Sequence, residues 1–284
     1  MSEFWKLSYL VPSLTDNLYR DLTFRELIRI YETESTQRRD SFAPTLWFTP
    51  CIMTVLIQEL ANAYRLVCGD QLTNELTDRL CNVLTLFQMV AGHYSIKRLY
   101  LQSKMHLYML PFLDNKLTGR NHEELRASAL RVITALVKSS LQNADAEAIH
   151  LIIEDNMFDS LIFCIEVGSL ISKTASTFIV QHILANEEGL QHCCAQTNRF
   201  IYLAKSLRQV VLGFDRAAAR HEIWELLRFV IGCYHKLSAD PRTVPGLQRY
   251  FPVILSHSYF SQLFQNDANT LQQLHQLLEI AAPL

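Results

Sequence analysis

Four stretches of the chain carry one pattern: an apolar helix, a short polar break, then a second apolar helix. The leading helices contain Asn82-Val83-Leu84, Ser128-Ala129-Leu130, Thr174-Ala175-Ser176 and Leu226-Leu227-Arg228, anchors about 46, 46 and 52 residues apart. A unit of this size cannot bury its apolar face alone, so neighbouring units must stack into a shared core. That requirement constrains the fold before any single residue does.

The spacing lies near the ~40–47-residue period of armadillo and HEAT arrays. It predicts an all-α, armadillo-like right-handed helical solenoid, which serves as a surface for partners rather than a vessel for chemistry. Composition agrees. With 49% hydrophobic and 19% charged residues the chain reads as globular, and eight Gly with eight Pro leave little material for hairpins. A net charge of −2 excludes a bulk basic field for nucleic acid, though not a local basic groove.

Along the chain, residues 1–43 form a divergent amino-terminal segment with denser charge and no repeat pattern, and 44–284 form the repeat domain. A short helix is predicted over Asn17–Tyr31, then a polar loop over Glu32–Asp40. Pro44 opens a long apolar helix from Thr45 to Cys68, ended by Gly69-Asp70. Leu125, Ala129, Val132, Ile133 and Leu136 share one helical face. Asn121 with Glu124 reads as a capping box, and Asp240-Pro241 as a cap followed by a first-turn proline. Breaks are expected at Gly92-His93, Asn143-Ala144-Asp145, Gly168-Ser169, Glu187-Glu188-Gly189 and Ala239-Asp240. The polar amino-terminal segment and the last helix, with Gln272, Gln273 and Gln276, suit the role of end caps.

Seven cysteines (51, 68, 81, 164, 193, 194, 233) are scattered, mostly in apolar runs, the setting of reduced, buried thiols. The amino terminus lacks a signal-peptide apolar region, and the longest apolar runs, such as Cys51–Ile57, fall far short of the ~20 residues of a membrane span. The expectation is a soluble, cytoplasmic protein with no membrane association and with the nucleus as a second location. The oligomeric state stays open, a homodimer included.

Chemistry is poorly supported. His192-Cys193-Cys194 is the densest metal-like cluster, but neighbours on a helix diverge, and no second cluster completes four ligands. His221-Glu222 lacks the second His of H-E-x-x-H, and no nucleophile-elbow or phosphate-loop motif occurs. No enzyme, cofactor or metal site is expected. Arg131 and Lys138 lie two turns apart opposite the apolar face, and Arg79, Lys173 and Arg228 sit on the equivalent helices. Such a stripe could hold phosphates or acidic peptide, with weak nucleic-acid binding assigned to Arg131 and Lys138. An ordinary solvated face is the simpler reading.

Five groups of residues stand out: Leu46-Trp47 with Gln58-Glu59, Leu80 to Leu84, Pro111-Phe112-Leu113, Leu125-Arg126 through Ala135-Leu136-Val137-Lys138, and Ser172-Lys173-Thr174-Ala175 with Thr177-Phe178-Ile179. In these runs the chain resembles the Rcd-type ("required for cell differentiation") family, the armadillo-like subunit of the CCR–NOT deadenylase complex. The resemblance covers about residues 44–250, and residues 1–43 match poorly.

It implies a non-catalytic adaptor that docks on the NOT scaffold subunit and presents pockets to tryptophan-containing silencing proteins and to short peptides of RNA-binding repressors. The implied function lies in mRNA deadenylation and translational repression. Scaffold-binding positions carried over are Phe48, Pro50 and Thr54, where the family pattern has His, Phe and Ala. Peptide- and tryptophan-binding positions are Thr197, Arg199, Phe200, Arg242 and Gly246. Arg199-Phe200 and the Pro241-Arg242 pair match; Thr197 replaces Tyr, and Gly246 replaces Ala, which leaves room in the pocket. These departures support an alternative, a diverged paralogue with other protein partners. Direct nucleic-acid binding along the Arg131/Lys138 stripe is the third reading.

Overall fold

The computed structural model describes residues 4–33, 40–69, 71–114, 116–138, 142–213 and 220–281. All its regular elements are helical, and no strand occurs among the described residues. The chain separates into two compact units, Met1–Ala148 and Ile149–Leu284.

The first unit contains α1 (Phe4–Ser13), α2 (Arg20–Thr33), α3 (Phe42–Phe48), α4 (Ile52–Val67), α5 (Asn74–Gly92) and α6 (Lys97–Gln102). A 3₁₀ segment (Met105–Leu113) and α7 (Arg120–Val137) complete it. Its core is the seam between α5 and α7. Leu80, Val83, Leu84 and Phe87 meet the predicted stripe of Leu125, Ala129, Val132, Ile133 and Leu136, all at most 1% exposed. Each such Leu, Val, Ile or Phe removed from water contributes about 1.5–3 kcal/mol. The amino-terminal segment belongs to this unit. Phe24, Leu27 and Ile30 bury one face of α2, which packs on α5, and Leu7, Val11 and Leu14 are buried with them.

Three local expectations are corrected here. The predicted helix over Asn17–Tyr31 is α2, and a further helix, α1, precedes it. The helix predicted over Thr45–Cys68 is two helices. Pro50 has no N–H to donate, and its ring would clash with the carbonyl four residues back, so the chain turns through Thr49-Pro50-Cys51, with Cys51 left-handed at φ 67°. Asn121 does not cap: α7 starts at Arg120 behind Gly119, and the Asn121 side chain donates to the Leu72 carbonyl at 3.0 Å. Most of the predicted loop (34–39) and Asp70 lie outside the described residues.

The second unit runs through α8 (Gln142–Glu154, within which the division falls), α9 (Met157–Val167), α10 (Leu170–Ala185), α11 (Glu187–Ala195) and α12 (Thr197–Leu212). It continues with α13 (Arg220–Leu237), a 3₁₀ turn at Pro241–Thr243, α14 (Val244–Tyr250), a 3₁₀ turn at Val253–Ser256, α15 (Ser258–Leu263) and α16 (Ala268–Ala281). α10 packs on α13, burying Ile179, Val180 and Ile183 with Leu227, Val230 and Ile231, and α13 packs on α16.

Side-chain caps set the helix starts. Ser169 Oγ accepts from Ser172 N at 3.3 Å, and Asp240 Oδ1 accepts from Arg242 N at 2.9 Å. Two predicted breaks are helical instead. Residues 143–145 lie inside α8, and Glu187-Glu188-Gly189 form the first turn of α11 because Asn186 Oδ1 accepts from Glu188 N at 2.9 Å.

Candidate partner-binding sites

Phe48 ends α3 with 67% of its surface exposed, although Leu46, two residues earlier, is fully buried. Pro50, Cys51 and Thr54 are exposed beside it in the chain, on the turn and the first turn of α4. The structure thus leaves the predicted scaffold positions Phe48, Pro50 and Thr54 all exposed.

Glu59, on the same helix, is held differently. Its carboxylate accepts from Arg20 Nη1 at 2.5 Å and Arg79 Nε at 2.7 Å, and Arg79 Nη1 also meets Asp21 at 3.0 Å. Burial raises the Glu59 carboxyl, but the hydrogen bonds from Arg79 and Arg20, with their charges, outweigh it and hold the group below its usual value. The network ties α2 and α5 to the α4 surface. Arg79 is consumed by it, which removes one member of the predicted basic stripe.

Arg131 is exposed and lines a cavity of about 590 Å³ with Tyr31, Gln88, His93 and Tyr94. Glu32 and Asp40 line the same cavity, so it is not a basic groove. Lys138, also exposed, ends α7 and is not part of that lining. Lys173 and Arg228 belong to the second unit.

At the predicted tryptophan-binding positions, Gly246 packs against Phe200. A β-carbon on Gly246 would collide with the Phe200 ring, so the missing methyl makes room for Phe200. Phe200 is itself 6% exposed. Arg199 donates to Asp159 at 3.2 Å and to the His192 carbonyl at 3.0 Å, which fixes its guanidinium in the unit. Arg242 grips Asp240, whose carboxyl that hydrogen bond helps bring down to about 2. Thr197 is exposed at the start of α12. The structure brings Phe200 and Gly246 together and engages both arginines internally.

Three cysteines, Cys164, Cys193 and Cys233, are buried, Cys81 and Cys194 are half-buried, and Cys51 and Cys68 are exposed. Among the described residues no three His, Cys, Asp or Glu side chains converge to hold a metal. Sequence reading missed an aromatic cluster in the second unit. Phe178 meets Phe229 edge-on at 5.2 Å, and Arg228 lies over Trp224 and Phe229 at 5.1 and 4.9 Å. The Trp224–Arg228 spacing of one helical turn was its visible signal.

The sequence profile of the cell differentiation family, Rcd1-like, matches residues 10–281. The chain belongs to that family. It is 33% identical over 256 residues to the cell differentiation protein rcd1 of Schizosaccharomyces pombe, covering 90% of this chain and 88% of that protein. It is also 33% identical over 239 residues to Protein CAF40 of Saccharomyces cerevisiae, covering 84% of this chain and 62% of that longer protein. In structure it resembles designed armadillo repeat proteins. One, YIII(Dq)4CqI, aligns with a TM-score of 0.64 over 97% of this chain and 100% of its own, at 15% identity. A second, computationally designed for modular peptide recognition, aligns with the same TM-score, identity and coverage. The fold of this Rcd1-like chain is therefore armadillo-like. The family match begins well before residue 44, in accord with the packing of α2 on α5.

Proposed function

We propose that this chain is a non-catalytic adaptor subunit of the CCR–NOT complex, joining the NOT scaffold to RNA-bound repressors in mRNA deadenylation and translational repression, in the cytoplasm and the nucleus. The observation that carries the reading is the exposed Phe48–Pro50–Thr54 surface on an Rcd1-like armadillo fold. A large exposed aromatic beside a rigid turn is the composition of an interface anchor. The test is affinity purification of the tagged chain from its native cell beside a close family relative. Recovery of the NOT scaffold with both supports the reading; recovery with the relative alone overturns scaffold docking.

A second reading is a diverged paralogue with other protein partners. The helix break at Thr49-Pro50-Cys51 favours it, because the break sits inside the docking motif, as does the replacement of the family's Tyr by Thr197. Restoring the family residues with Phe48→His, Pro50→Phe and Thr54→Ala discriminates the two. A gain in scaffold binding supports divergence at this surface, and no gain counts against that explanation.

A further inference from the structure

The second unit holds a cavity of about 230 Å³ with Phe178, Gln181 and His182 of α10 on one side, and Arg228 and Phe229 of α13 beside them. The first turn of α16, with Asn269 and Gln273, closes it. Arg228 is the unusual member. Its Nε is shut away from water and has no hydrogen-bond partner. The guanidinium makes no ion pair with any described residue and is instead held over the faces of Trp224 and Phe229. Arg20, Arg79, Arg126, Arg199 and Arg242 all pair with carboxylates. A buried donor on a cation left without an acceptor is costly, so an arriving anion gains what the folded chain lacks.

The rest of the lining suits one small anion. Asp267 is nearby, but Thr270 occupies both of its oxygens, through N at 3.1 Å and Oγ1 at 2.7 Å. Those bonds hold it against the first turn of α16, and it makes no ion pair with Arg228. The amides of Gln181, Asn269 and Gln273 make no hydrogen bond to a described residue and remain as donors. Gln181 is held in place because it crosses Gly232, where a β-carbon would collide with its side-chain nitrogen. The cavity is smaller than the ~300 Å³ at which small-molecule sites begin, and it carries one permanent cation. A phosphodiester chain needs several.

We propose that this cavity receives the side-chain carboxylate of an acidic residue in a partner peptide, with Arg228 as the bidentate donor and Phe178 and Phe229 as the apolar wall. The fork of a guanidinium matches a carboxylate through two parallel N–H···O bonds. The site is independent of the Phe48 surface, so its failure and that of scaffold docking are separable.

The test is an NMR titration of the full, isotope-labelled chain without any scaffold. The reporter is the Arg228 Nε–H resonance, assigned by its loss in Arg228→Gln. Three probes are compared at one salt concentration: the peptide (Glu-Ala)₃, its amide counterpart (Gln-Ala)₃, and hexauridylate. The expected result is a shift of that resonance by (Glu-Ala)₃, at least about tenfold tighter than with either other probe, consistent with a charge-assisted bond. Asn269→Asp, a change at an exposed position, places a carboxylate at the cavity mouth and should weaken (Glu-Ala)₃ at least tenfold while helicity is unchanged. Equal binding of the two peptides, insensitivity to Asn269→Asp, or tighter binding of hexauridylate overturns the proposal. Should Arg228→Gln not fold, the Asn269→Asp comparison decides.

Discussion

The ring of Phe200 fills the space over Gly246, so closely that a β-carbon at position 246 would overlap its edge. The α12–α14 contact depends on that missing methyl. Gly246→Ala is expected to destabilise the chain by about 1–3 kcal/mol through overpacking, read from the urea midpoint at unchanged m. Combining it with Phe200→Leu should recover part of the loss, because the two residues share one space.

Glu59 links three helices through two arginines, and its side chain is only 10% exposed. Its folded carboxyl titrates below the ordinary value of 4.5, so the folded chain binds fewer protons there than the unfolded chain does. The resulting stabilisation is complete above pH 4.5 and is lost as the pH falls through the lowered folded value. Glu59→Gln should cost up to about 3 kcal/mol at neutral pH, the low end for a buried pair because Arg79 keeps some solvent contact. It should also flatten the acid limb of a stability–pH curve.

Cys51 is an exposed L-residue held at φ 67° between two helices. That conformation costs roughly 1–2 kcal/mol for a side-chain-bearing residue, and glycine returns part of the gain as unfolded-state entropy. Cys51→Gly is therefore expected to raise stability by about 0.5–1 kcal/mol, measured by thermal unfolding. A loss would mean that the thiol makes a stabilising contact.

Phe48 exposes 67% of its surface, so Phe48→Ala should leave stability within about 0.5 kcal/mol of the parent. If Phe48 is an anchor for the scaffold, binding should fall at least about tenfold by calorimetry with a scaffold fragment. Unchanged affinity would remove it from the interface.

Thiol reactivity should separate the cysteines by burial. Cys51 and Cys68 are exposed and are expected to react rapidly with a disulfide reagent under native conditions. Cys164, Cys193 and Cys233 are enclosed, and burial pushes the Cys233 thiol well above its ordinary value, so these three should react only on unfolding. Mass mapping of the labelled peptides checks the assignment.

Much of the architecture was readable from local pattern. The stripe from Leu125 to Leu136 repeats at the helical period, and all five of its residues are buried. Asp240 caps where it was expected to, and Ser169, at an expected break, caps the helix that follows, since a cap is a contact within a few residues. Asn121 failed as a cap because its amide finds the Leu72 carbonyl, far away in the chain. The helix expected over Thr45–Cys68 is two helices because Pro50 lies in the turn between them, where it cannot continue either one.

The candidate sites divide along the same line. The chain's own periodicity determined that it is an all-helical array, and its motifs determined its family, because both are properties of residues near one another in sequence. Which polar groups are spent and which are free was decided only by tertiary packing. Arg79 is used by Glu59 and Asp21, Arg199 by Asp159, and Gly246 by Phe200, whereas Arg228 is left over two aromatic rings with an unpaired Nε. No local pattern encodes those pairings, since each joins positions 20 to 58 residues apart or rests on a charge that found no partner.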